Sequence, residues 1–319
     1  MTVIEGQSRA GSRDQEDPFP SDAIVQGNCC PDQETHKPHN MQLQTLPEQP
    51  IVTIEPRRSW VELRLEDIWA YRELLYFLTW RDVKVRYKQT ALGAAWAVIQ
   101  PLFMMIIFAF AFGKLVRVPT DGVPAPLFYY VAIMPWTFFS NALASSSNSL
   151  IANSNLITKV YFPRMIIPFA AVGSGLLDFG IAFVLLLGLM PYYGMAISWQ
   201  IVMLPVLIVL TTLLASAFGL CMSALSVIYR DVRHALPFII QLWMFATPII
   251  YPLSLVPGKW RWLIRFNPLS GLIEGYRASL FGLPFDWIGL SFSAGLTLIC
   301  FYAFGRVFRH MEKIFADVI

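Results

Sequence analysis

Few residues in this sequence are able to do chemistry, and their placement is unusual. The stretch NPLSGLIEGYRASLFG at 267–282 carries Glu274 and Arg277 three residues apart in apolar surroundings. At helical spacing the two share a face and can form an ion pair. The segment is too short to cross a bilayer as one helix, which needs about 20 apolar residues. The pair either holds a structural feature together or is a surface pair worth under about 1 kcal/mol.

Asp178 is a lone carboxylate deep in an apolar run. It is either a coupling site or a hydrogen-bonded packing group; paired relays are the usual functional arrangement, which favours packing. The run RDVKVRYK sets Arg81, Lys84, Arg86 and Lys88 against a single acid just before an apolar stretch. Such a run anchors a cytoplasmic flank. It also suits an anionic lipid head group or phosphate, and the two roles are compatible.

Other chemistry is missing. His36, His39, His234 and His310 lack metal-ligand spacing. The clustered acids of DQED at 14–17 fall in a polar tail, and no G-x-x-x-x-G-K-[ST] phosphate loop occurs. No cofactor or metal is expected on this chain.

Composition sets the class that must position these residues. The chain of 319 residues is 56% hydrophobic and 14% charged, with mean hydropathy +0.53, against about 25% charged in soluble domains. This is a membrane protein, and a net charge of +3 gives no reason to expect nucleic acid. Cys29 and Cys30 are adjacent in the tail while Cys221 and Cys300 lie in apolar spans, so no disulfide framework is indicated.

Residues 1–55 are polar, without apolar period, and are expected to form a disordered cytoplasmic tail. Residues 56–90 are expected to form an amphipathic helix in the membrane interface, with Ile68, Tyr71, Leu75 and Leu78 on its apolar side. Residues 91–319 give an all-α domain of six spans: Leu92 to Val116, Leu127 to Ser147, Ile166 to Met190, Trp199 to Val227, Ala235 to Tyr251 and Ile288 to Phe304. Lys and Arg concentrate on the flanks that this topology makes cytoplasmic, so both termini are expected inside. Ala215, Gly219 and Ser223 give the fourth span a small-residue face for close packing. Trp136 and Trp199 fit interfacial belts.

The loop SSSNSLIANSNLITKVYFPR at 145–164 can form a short helix over about Ile151 to Thr158. Leu156, Ile157, Tyr161 and Phe162 then lie exposed to the cytosol unless lipid or a partner covers them.

The segment MPWTFFSNALASSSNSLIANSNLITKVYFPRMIIP strongly resembles the membrane subunits of polysaccharide-exporting ABC transporters, the type-2 family of O-antigen, capsule and teichoic acid exporters. WRDVKVRYKQTALGAAWAVIQPL, SVIYRDVRHALPFIIQLWMFATPIIYP and NPLSGLIEGYR fit the same pattern in the same order, so the resemblance covers about residues 60–319. The tail matches nothing in it.

The resemblance implies a permease, not an enzyme, working as two copies with two separate ATPase subunits that carry ATP and Mg. It implies a coupling helix at about 149–163 that docks on the ATPase through Asn153, Asn155, Leu156, Lys159, Tyr161, Phe162 and Pro163. It implies a re-entrant helical pair at about 255–285 narrowing the outer mouth, with Asn267, Pro268, Glu274 and Arg277 as gate residues paired with each other or across the dimer. Lipid-linked glycan would approach by Arg81 to Lys88. Phe103, Phe108, Trp243, Phe245 and Tyr251 are candidates to line the channel, since sugar C–H faces stack on aromatic rings. The expected cargo is an undecaprenyl-pyrophosphate-linked polysaccharide crossing the bacterial inner membrane; the alternative is a small hydrophobic drug or lipid.

Overall fold

The computed structural model describes residues 69–88, 95–196, 198–313 and 315. The tail and the first part of the interfacial segment, Ile68 included, lie outside the described residues. The described chain is all helical: α1 Arg72–Lys88, α2 Ala95–Phe108 continuing through a wider π-helical stretch Ala109–Leu115, α3 Ala125–Ala152, α4 Ser154–Lys159 and α5 Ile166–Tyr192. After a 3-10 turn at Trp199–Met203 follow α6 Leu204–Ile228, α7 Val232–Ala246, α8 Gly258–Arg265, α9 Pro268–Phe281 and α10 Trp287–Glu312.

Local chemistry fixes several of these ends. Asn267 accepts the Leu269 N–H at the start of α9, Pro268 occupies the first helical position, and Gly282 closes the helix at φ 71°. That left-handed conformation favours glycine. Asp286 caps α10 by accepting the Gly289 N–H at 3.1 Å.

Among the described residues, five helices are long and apolar enough to cross a membrane: Ala95–Leu115, Ala125–Ala152, Ile166–Tyr192, Trp199–Ile228 and Trp287–Glu312. The expected fifth span, Ala235 to Tyr251, is shorter than its hydropathy suggested. Its helix has 15 residues, about 22 Å at 1.5 Å per residue, against a hydrocarbon core of about 30 Å. The helix stops at Ala246 because Thr247–Ile249 turn, with backbone bonds from Thr247 to Met244 and from Ile249 to Thr247.

α3 is the most enclosed of the long helices and α2 the least. α3 is the post of the domain, in contact with α2, α5, α6, α7 and α9. Its Leu127 to Trp136 run is buried throughout. Trp136, expected at an interface, is instead a core residue packed near Phe139, whereas Trp199 is exposed. The small-residue face of α6 lies on α3: a Cβ at Gly219 would stand 2.7 Å from Ser146 Oγ, and Ser147 and Ser226 share a hydrogen bond of 2.6 Å. Such polar bonds and close approaches hold helices together where lipid supplies no hydrophobic drive.

α9 crosses α10 more tightly still. A Cβ on Gly271 would meet Ser293 Oγ at 2.4 Å and the Gly289 carbonyl at 2.5 Å. Gly271→Ala is therefore expected to destabilise the domain by about 1–3 kcal/mol through overpacking. Gly295→Ala on α10, where no atom lies within 4 Å, is expected to leave stability unchanged or slightly raised. Melting midpoints of the purified variants in detergent test the pair.

Candidate functional site

One anchor, near the connection between α7 and α9, is built around Arg277. Its side chain is 1% exposed, the largest fully buried side chain of the described residues. Nη1 donates to Glu274 Oε1 at 2.9 Å and Nη2 to the Ile249 carbonyl at 2.9 Å. Its carbon lies 3.8 Å from the centre of the Phe128 ring, a cation–π contact with α3. Glu274 also accepts the Leu253 N–H at 3.3 Å. Burial lowers the pKa of the guanidinium from its usual value, and the adjacent Glu274 carboxylate opposes that shift.

These contacts decide between the readings of the pair. A surface pair is excluded by the burial of Arg277, and the two residues bond to each other within one subunit. The pair fastens α9 to the α7–α8 connection and to α3.

Asn267 fastens α9 to α7 about 15 Å further along the helix, ten residues before Arg277. Its Oδ1 accepts from Trp243 Nε1 at 3.0 Å, and its Nδ2 donates to Thr247 Oγ1 at 2.8 Å. Arg265 pairs with Asp286 at 2.7 Å, tying α8 to the start of α10.

At the other end of the helices, the segment at 145–164 differs from its expected form. α3 runs on to Ala152, and α4 is confined to Ser154–Lys159. Ile157 and Phe162, expected on the surface, are 8% and 6% exposed. They belong to a cluster with Leu78 of α1, Leu150, Met165, Leu220 and Phe308, against which Leu156 is half-buried. Phe162 therefore anchors the segment, because the cluster offers it apolar neighbours that cytosol does not. Asn155, Lys159 and Tyr161 are exposed, Tyr161 at 96%, and Pro163 is half-covered. Asn153 faces α1: its Oδ1 accepts from Arg81 Nη2 at 2.8 Å. Arg164 binds the end of α10, its backbone N–H and Nη1 reaching Glu312 at 3.1 and 2.7 Å.

α1 climbs along α5. Leu78 and Val83 are its buried residues, while Tyr71, expected on the same side, is exposed. The basic run is not uniformly free. Arg86 forms an ion pair with Asp178 and donates to Ser174 Oγ at 3.2 Å. Tyr87 donates to the other oxygen of Asp178. Burial, then the bond to Asp178, pushes the Tyr87 phenol well above its ordinary pKa. Arg81 is shared between Asp82 and Asn153. Lys84 lies over the Trp80 ring at 5.5 Å, and Lys84 and Lys88 are exposed. Arg86 is thus engaged by protein, where a free cation for a head group was expected. No sequence spacing signals this cluster, since Arg86 and Asp178 lie 92 residues apart.

A cavity of about 340 Å³ opens beside that cluster, walled by α1, α2, α3 and α5. The channel-lining candidates separate into two groups. Phe103 and Phe245 point away from the subunit and are exposed. Phe108 packs edge-on to Phe112 and Tyr129, and Trp243 packs on Phe139 and Phe218 while its N–H serves Asn267. Phe108 and Trp243 are half-buried and pack against the core. Tyr251 is half-buried.

Five membrane-length helices with polar and ionic fastenings at both ends and at mid-depth define a multi-pass helical membrane protein. The sequence matches the ABC-2 type transporter model over residues 73–281, from α1 to the end of α9, and the chain belongs to that family. It is 28% identical over 260 residues to the O-antigen export system permease protein RfbA of Myxococcus xanthus, covering 80% of this chain and 98% of that protein. The protein of that name from Klebsiella pneumoniae is 28% identical over 251 residues, covering 77% of this chain and 95% of its own length. The polysialic acid transport protein KpsM of Escherichia coli is 23% identical over 238 residues, covering 73% and 91%.

Removing one member of a buried ion pair strands the other. Arg277→Ala is expected to cost on the order of 3–5 kcal/mol. Glu274→Gln keeps an acceptor oxygen for Arg277 and Leu253 but leaves the buried guanidinium without its counter-charge, so its cost is expected to be comparable. Melting midpoints of the two variants, with the double variant completing a cycle, measure the coupling.

Proposed function

We propose that this chain is the membrane subunit of an ATP-driven exporter of polysaccharide, carrying an undecaprenyl-pyrophosphate-linked O-antigen or related surface glycan across the bacterial inner membrane. The observation that carries the reading is the near full-length match to two permeases named for O-antigen export, reinforced by a third relative named for polysialic acid transport.

In this reading two copies form the channel and each binds a separate ATPase subunit, which supplies ATP and Mg. Asn155, Lys159 and Tyr161 make the docking surface at the end of α3, with Leu156, Phe162 and Pro163 holding it in shape and Asn153 passing its movement to α1. α1 enters from the interface and rises along α5, and Arg81, Lys84 and Lys88 are the cations it offers to the lipid head group along that rise. α7 with its following turn counts as the fifth of six spans, and residues 255–285 dip back as the outer gate, with Asn267, Pro268, Glu274 and Arg277 as its fixed frame. Phe103, Phe108, Trp243, Phe245 and Tyr251 are the candidates to line the channel, with Phe103 and Phe245 the most exposed of them. Both termini, including the tail of residues 1–55, are cytoplasmic.

Deleting the chain in its host tests the reading directly. One surface glycan should disappear while its undecaprenyl-linked form accumulates on the cytoplasmic side. An intact glycan with altered sensitivity to hydrophobic compounds would replace this reading with export of a small drug or lipid.

Docking makes a separate prediction. Tyr161→Ala should lower co-purification of the ATPase at least several-fold with an unchanged melting midpoint, because the ring is 96% exposed. Phe162→Ala should instead destabilise the subunit itself by about 3–5 kcal/mol, the loss typical of a buried aromatic.

A further inference from the structure

We propose that the cavity walled by α1, α2, α3 and α5 is a binding site for an uncharged sugar unit. The proposal rests on the polysaccharide reading and adds to it a position and a chemistry. Four uncharged polar side chains line the cavity from within membrane-length helices: Gln100 on α2 and Thr137, Asn141 and Ser145 on α3. These side chains hydrogen-bond to no other described residue. Polar groups at such depth are costly unless they meet water or a ligand.

Their spacing favours an extended polyol. Thr137, Asn141 and Ser145 recur every four residues, a ladder with a rise of about 6 Å per step, comparable to the length of one pyranose ring. Each step offers a donor and an acceptor, as sugar hydroxyls require. Gln100 adds an amide from the facing helix. Trp96, Phe138 and Phe179 contribute ring surfaces to the same walls for the C–H faces of a sugar. The volume of about 340 Å³ lies in the usual range for small-molecule sites.

The charge at the cavity argues against a phosphate. Arg86 is its cation, and Arg86 is already paired with Asp178, whose second oxygen is bound by Tyr87. A diphosphate would have to displace a carboxylate that the fold holds in place, whereas an uncharged hydroxyl can bond at the edge of the compensated pair.

Saturation-transfer NMR on the full chain in lipid nanodiscs, with maltotriose and mannotriose as probes, tests the site. At least one sugar should receive transfer that saturates with concentration, and inorganic pyrophosphate at equal concentration should not displace it. Gln100 and Asn141 are exposed, so Gln100→Leu with Asn141→Leu should keep the melting midpoint and reduce the transfer at least fivefold. Trp96→Ala, which removes a ring wall from an exposed position, should reduce it independently. No saturable transfer to either sugar, an unchanged signal in both variants, or displacement by pyrophosphate would overturn the proposal. A sugar-silent cavity in a chain whose deletion still removes a surface glycan defeats this site alone, whereas an intact glycan defeats the export reading.

Discussion

A guanidinium kept from water needs partners for its charge, and Arg277, bonded through Nη1 and Nη2 but not through Nε, shows what that demand does to a membrane fold. Its bonds reach Glu274 on its own helix, the Ile249 carbonyl past the end of α7, and the face of Phe128 on α3. Three segments remote in sequence must therefore meet at one point. Asn267 repeats the logic at the start of the same helix, binding Trp243 and Thr247 of the α7 end while capping α9. A short apolar helix between spans would otherwise have little to hold it in register, because lipid gives no hydrophobic drive toward one helix neighbour over another.

Polar constraint also organises the opposite end. The cluster around α4 joins α1, α4, α6 and α10 through Leu78, Ile157, Leu220 and Phe308, and Arg81–Asn153 and Arg164–Glu312 add directional bonds around it. A displacement of α4 must either break these bonds or carry α1 with it. α1 in turn ends at Asp178, about 18 Å along α5 from Ile166 at 1.5 Å per residue, so the α4 segment and the mid-depth cavity share one connecting helix.

Hydropathy made much of the frame legible. Ile166 and Trp199 begin their spans where the apolar runs begin, and the small-residue face of α6 meets a neighbour as its four-residue repeat required. Asn267, Pro268 and Gly282 mark both ends of α9 in one dimension, because caps depend on local backbone chemistry. Hydropathy misjudged α7, since Thr247–Ile249 are apolar enough to extend a span but turn to present the Ile249 carbonyl to Arg277. Trp136 and Phe162 were misplaced for one reason: an aromatic residue suits an interface, a docking surface and a core equally well.

The sequence by itself determined that this chain is a helical membrane protein, where its long helices lie, and which few charged residues require an explanation. Those properties follow from composition and near-neighbour spacing. The tertiary structure alone decided what the charges do: that Arg86 is bound to Asp178, that Arg277 is interior, and that Thr137, Asn141 and Ser145 open on one cavity with Gln100. A charge removed from water takes whichever partner the fold brings within reach, and that partner lies on another helix at no characteristic distance along the chain.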